Sequence, residues 1–168
     1  MTPAMTKALE IWTAPTATPN ESPEAFDARR IRAKLRASLT SDDWAFKVFA
    51  FNFAMDTLNG IGPSPLPKAV IDNEMNMLFE ELQETATALR SHDLIEALDG
   101  LLDLCYVALG TALKIGYTPE QINAAMQEIH ASNMSKVDKN GNPVYDDRGK
   151  VIKSDQYKPA DLPAVLNL

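Results

Sequence analysis

The sequence predicts an all-α domain with a small C-terminal β-hairpin and an extended tail. Three observations predict it. Apolar residues recur at steps of three and four through two long segments, about 67–90 and 94–115. Capping and stop signals bound each helix-length segment. Paired β-prone residues are confined to a short stretch near residues 144–152. The organisation expected is an N-terminal arm over residues 1–40 and a folded domain over residues 41–168.

The chain has 168 residues, 45% of them apolar and 23% charged, enough for one domain with a core. Its net charge of −7 opposes a general nucleic-acid binder, which needs a basic face. Cys105 is the single cysteine, so no internal disulfide can form, and a reducing, cytoplasmic setting is expected. The most apolar segment carries Glu96, Asp99 and Asp103, which opposes a membrane span.

Residues 13–24 hold three prolines among small polar residues and read as a flexible arm. Ser22-Pro23-Glu24 is a helix start, and the short helix it opens carries Arg29, Arg30, Arg32, Lys34 and Arg36. Such a charge run is either an anion-binding or lipid-binding helix or, as charge runs usually are, a solvated arm that packs on the acidic body or on a neighbouring subunit. Thr40 to Asp43 supply a cap for the next helix, expected from Trp44 to about residue 58 and ended by the Gly- and Pro-rich stretch 59–65.

In the second core helix Ile71, Met75, Leu78, Leu82, Thr85 and Leu89 form one stripe, expected to be buried. Ser91 is expected to cap the third. Its stripe is Leu94, Leu98, Leu101, Leu102, Cys105, Leu109 and Leu113, and Gly116 stops it. The short link predicts that the two helices pack antiparallel. Thr118-Pro119-Glu120-Gln121 is a capping box that opens a fourth helix, to about Met134. Val144-Tyr145 and Val151-Ile152 flank a turn at residues 146–149. No internal repeat of useful period is visible.

The chemistry-bearing feature is acidic. Glu80, Glu81 and Glu84 share one side of the second helix, and Glu96, Asp99 and Asp103 share one side of the third. A solvated charged face interleaves signs, yet Arg90 is the only Lys or Arg between Asp72 and Asp103. Carboxylates beside an apolar stripe lose hydration and demand cations. Bound metal explains the cluster better than solvation. An all-oxygen set suits Mg²⁺, Mn²⁺ or Ca²⁺. His92 and His130 lack the Glu-x-x-His spacing of a di-iron bundle, and the loop at residues 138–143 departs from an EF-hand.

The ordered series EExxE, ExxDxxxD, the helix end YVALGTALKIGY and then EIHASNMSK resembles the all-α nucleoside triphosphate pyrophosphohydrolases, in particular their MazG-like phage and bacterial branch. The likeness runs from about Trp44 to Leu162. It implies a MazG-like bundle completed by oligomerisation, as a dimer or tetramer. It implies cleavage of a (d)NTP between the α and β phosphates, giving monophosphate and pyrophosphate. It implies two or three Mg²⁺ ions, with Mn²⁺ as a substitute, held by Glu80, Glu81, Glu84, Glu96 and Asp99, with Asp103 as a further ligand. Glu81 or Glu80 is the candidate for taking a proton from the attacking water.

Asn133, Lys136 and Lys153 are candidate phosphate contacts, while Trp44 and Asn52 of the first core helix are candidates for the base pocket. A purine substrate such as (d)GTP, as for the MazZ type of phage enzyme, follows from the likeness alone. The same scaffold also serves dUTP, dCTP or phosphoribosyl-ATP hydrolysis. A non-catalytic acidic module that receives a basic partner is the alternative of a different class. No nucleic-acid or membrane partner is expected. For a phage-encoded chain the cytoplasm would be the host's.

Overall fold

A computed structural model describes residues 42–58 and 62–167. The arm expected over residues 1–40, with its basic helix, and residues 59–61 of the first loop lie outside the described residues. The chain forms two compact units, divided between Tyr117 and Thr118. The described part of the first contains α1 (Trp44–Ala54), α2 (Lys68–Ser91) and α3 (Leu94–Ile115). The second contains α4 (Pro119–Met134) and α5 (Leu162–Leu166), joined by two tight turns.

Local chemistry sets the ends of the helices. The Asp43 carboxylate accepts the Ala45 and Phe46 amides and starts α1. That helix stops at Ala54, before the expected end near residue 58, because Asp56 turns left-handed (φ 54°) and Thr57 bonds back to Asn52. The cap of α3 is Asp93, not Ser91: the Asp93 carboxylate accepts the Ile95 and Glu96 amides. Ser91 is the last residue of α2, and its hydroxyl bonds back to the Ala88 carbonyl. His92 takes the left-handed position that closes α2. Gly116 ends α3 at φ 108°, and a Cβ there would strike the Gly62 carbonyl. Ser64 donates to the Ile115 carbonyl at 2.9 Å, so the first loop is seated on that helix end.

Helices α2 and α3 are antiparallel. Thr85 faces Gly100, while Glu74, eleven residues back, meets Thr111, eleven residues on. Of the two stripes expected from periodicity, Thr85 and Leu113 are buried and Leu78 and Leu109 half-buried, but most of the large apolar members are not in the seam. Thr85, Ala88, Ala97 and Gly100 are buried, and Ile71, Met75, Leu82, Leu89, Leu94, Leu98, Leu101 and Leu102 are exposed, as is Cys105. Small residues let the two backbones approach: a Cβ on Gly100 would collide with the Thr85 hydroxyl. The large apolar residues at the same period are left facing outward.

One polar contact fixes the register of the pair. Glu74 is 3% exposed and its carboxylate takes Lys114 Nζ at 2.6 Å and the Thr111 hydroxyl at 2.9 Å. A buried carboxylate tolerates no other partner cheaply, so sliding the helices would strand a charge. Helix α1 packs on α3 through Val48 and Asn52 against Gly110, and Phe51 meets the Tyr106 ring edge-on at 5.5 Å.

In the second unit, Thr118 and Gln121 form the expected capping box and α4 runs to Met134 as predicted. Two turns follow with one geometry. Asp138 Oδ1 accepts the Asn140 and Asn142 amides, and Asp146 Oδ1 accepts those of Arg148 and Lys150. Each turn closes on a left-handed glycine, Gly141 (φ 83°) or Gly149 (φ 77°). The second is the expected hairpin, with Tyr145 bridged to Val151, and the first is an eight-residue echo of it that bridges Val137 to Pro143. This short repeat escapes a search at longer periods. The tail is not wholly extended: Asp161 caps the five-residue helix α5.

Candidate metal and phosphate sites

The six acids project from the rim of the α2–α3 seam. Glu81 is half-buried, and Glu80, Glu84, Glu96, Asp99 and Asp103 are exposed. Antiparallel pairing in the Thr85–Gly100 register brings the α2 acids opposite those of α3. Burial, then the charges of Asp103, Glu84, Asp99 and Glu80, raises the Glu81 carboxyl above its usual range. Five of the six acids therefore share one field. Glu84 and Glu96 also line one open cleft of about 490 Å³, with Gln83, Thr87, Ala88, Ser91 and Asp93.

Among the described residues no ion pair offsets this field. Among the described residues the ion pairs are Lys68–Asp72, Lys114–Glu74 and Arg148–Asp146, none of which involves the cluster. The described carboxylates do not converge into a group of three poised at ligand distance. The donor set fits a divalent cation in chemistry: it is all oxygen, like-charged and, among the described residues, without an ion-pair partner. Closure around an ion would require exposed side chains to move, and five of the six are free to do so.

The other sequence-predicted residues fall in different places. Trp44 is 62% exposed at the start of α1, with Lys47 Nζ 4.8 Å from its ring centre. Asn52 is buried; its amide donates to the Val48 carbonyl at 3.0 Å and its oxygen accepts the Thr57 hydroxyl at 2.7 Å. Both polar ends of Asn52 thus serve the scaffold of α1.

Asn133, Lys136 and Lys153 belong to the second unit. Lys136 Nζ donates to Asn133 Oδ1 at 2.7 Å, and Lys153 Nζ lies 4.5 Å from the centre of the Tyr157 ring. No periodicity or spacing singles out Tyr157, or the cleft residues Gln83, Thr87 and Ser91. They gain meaning only from what lies beside them in space.

Residues 62–133 match the family model described as phosphoribosyl-ATP pyrophosphohydrolase. Over these residues the chain is similar to the MazG-like all-α nucleoside triphosphate pyrophosphohydrolases. The match covers all of α2 and α3 and α4 to its penultimate residue, so it contains every acid of the cluster. The members of that family are nucleotide pyrophosphohydrolases, hydrolases acting on acid anhydrides. Metal dependence is typical of the family. No curated protein shows a significant match to the chain. No helix among the described residues is long and apolar enough to cross a membrane.

Proposed function

We propose that the protein hydrolyses a purine (d)NTP, such as (d)GTP, to the monophosphate and pyrophosphate, with Mg²⁺ held by the acid cluster. The observation that carries this reading is the single negative field over Glu80, Glu81, Glu84, Asp99 and Asp103, with no ion pair to it among the described residues. A triphosphate is also an anion, so cluster and substrate repel unless divalent ions lie between them. Bound there, such ions would stabilise the leaving pyrophosphate and favour ionisation of an attacking water.

Within that reading, Glu80, Glu81, Glu84, Glu96 and Asp99 hold metal, with Asp103 as a further ligand. Two or three ions would balance six carboxylates, and Mn²⁺ should replace Mg²⁺. Glu81 or Glu80 takes the proton from water. Lys136, Asn133 and Lys153 donate to the phosphates, and Trp44 offers a face for the base. Asn52, buried with both polar ends bonded within the protein, is not a direct contact to the base.

A homo-oligomer completes the site. Leu94 (76% exposed), Leu98 (55%) and Leu102 (59%) form an outward stripe on α3, and soluble monomers rarely expose such a run. The exposed Cys105 thiol suits a reducing cytoplasm.

A second reading, phosphoribosyl-ATP as substrate, is favoured by the family match over residues 62–133. The test is a panel of dGTP, GTP, dATP, dUTP, dCTP and phosphoribosyl-ATP with Mg²⁺ and identification of products. We expect pyrophosphate, not orthophosphate, with purines turned over fastest. Glu81→Gln and Asp99→Asn should each lower kcat by about a hundredfold or more while the helical signal and melting persist. Full turnover in both variants would overturn the assignment.

A further inference from the structure

Helix α1 buries one side against α3 and leaves another bare. Val48 and Asn52 are buried at Gly110, while Trp44, Phe51 and Met55 are 62%, 47% and 51% exposed. At steps of seven and four, those three follow one side of α1 and its cap. The edge-on contact of Phe51 with Tyr106 joins this surface to α3. Acids border its far end: Asp56 follows Met55, and Asp103 lies one helical turn from Tyr106. Both acids are exposed, and among the described residues neither forms an ion pair.

A segment of matching composition precedes α1 in the sequence. Residues 25–39 lie outside the described residues. In them Ala28, Ile31, Leu35 and Leu39 recur at steps of three and four. At helical spacing Arg29, Arg32 and Arg36 fall to one side of that apolar strip, and Arg30 and Lys34 to the other. Five of the chain's 16 Lys and Arg residues are thus gathered between residues 29 and 36, although the whole chain carries −7. An apolar strip flanked by cations complements an apolar face bordered by acids. Only residues 40–43 separate this segment from Trp44, and helices joined by so short a link pack as antiparallel neighbours.

We propose that residues 25–39 dock as a helix on the Phe51 and Met55 face of their own chain, antiparallel to α1, with their cations beside Asp56 and Asp103. Run back along α1 in that sense, Ile31 would fall at the level of Phe51 and Ala28 at that of Met55. Such a helix spans about 22 Å against about 16 Å for α1, so its first turn would pass Met55 and reach Asp56. The link is too short to favour the same face of another copy.

The test is hydrogen–deuterium exchange of the full chain, read peptide by peptide. A helix of this length is marginal alone in water, so slow exchange there reports docking. In wild type the amides of residues 28–39 should exchange about tenfold or more slower than those of an unstructured chain. Phe51→Ser and Met55→Ser should each bring them toward the unstructured rate, with the amides of α2 and α3 unchanged. Arg29→Gln, Arg32→Gln and Arg36→Gln together should cut the protection about threefold, since exposed ion pairs are individually weak. Dilution should leave it intact, because arm and face belong to one chain. Unstructured rates in wild type, protection untouched in the apolar variants or in the arginine variant, or protection lost on dilution, as a second copy's arm would give, would overturn the proposal. Exchange reads docking without turnover, so the outcome of the nucleotide panel leaves it standing or falling on its own.

Discussion

Glu81 is where packing and charge meet. It belongs to α2, its side chain is half-buried beside the seam, and carboxylates from both helices press on it. A group so placed resists ionisation more than an isolated carboxyl does. Asp138 shows the opposite case. Backbone bonds from Asn142 and Asn140 hold its carboxyl below the usual 3.8. The folded turn therefore releases the proton more readily than the unfolded chain. Its stabilising effect is complete above about pH 3.8 and fades as pH falls through the lower folded value. An NMR titration of the Asp138 carboxyl should give a midpoint under 3.8, and Asp138→Ala should remove this acid-side loss of order from residues 138–142.

At the scale of the element, the α2–α3 pair is a close-contact seam rather than a leucine zipper. Thr85 and Gly100 mark the closest approach, and the Thr85 hydroxyl has no hydrogen-bond partner there. Gly100→Ala would place a methyl against Thr85 and force the helices apart, which costs about 1–3 kcal/mol in a tight core. Because the acids of the cluster sit on these two helices, separation should also weaken metal binding. Denaturant melts and Mn²⁺ titration of this variant should both move, with helix content retained. The Glu74–Lys114 pair, on the same seam, sets which acids of α2 face which acids of α3. Glu74 carries no distinguishing signal in the sequence, since an acid in a charged helix is the commonest thing there.

For the whole molecule, the outward stripe of α3 and the exposed Ile71, Met75, Phe79, Leu82 and Leu89 of α2 ask for a covering surface. In our reading that surface is another copy of the chain. Leu98→Glu with Leu102→Glu should shift sedimentation from an oligomer to a monomer and lower hydrolysis with it. Sedimentation of the wild type as a monomer at micromolar concentration would contradict the reading.

Much of the fold was legible in linear order. Helix limits followed from local chemistry: Asp43, the Thr118–Gln121 box, Gly116 and the turn at residues 146–149 stand where their own backbone needs them. The acid cluster was legible too, because like charges at steps of three and four without cations are a statement about one helix face. Periodicity by itself determined which residues share a face, and therefore the two acidic sides and the two apolar stripes. It cannot determine which face meets which neighbour. Only the tertiary structure decided that small residues form the seam and leucines face outward, that Glu74 is buried on Lys114, and that Tyr157 lies between Ser132 and Lys153. Those are contacts between residues far apart in the chain, set by how closely two backbones can approach, and no local pattern encodes that distance.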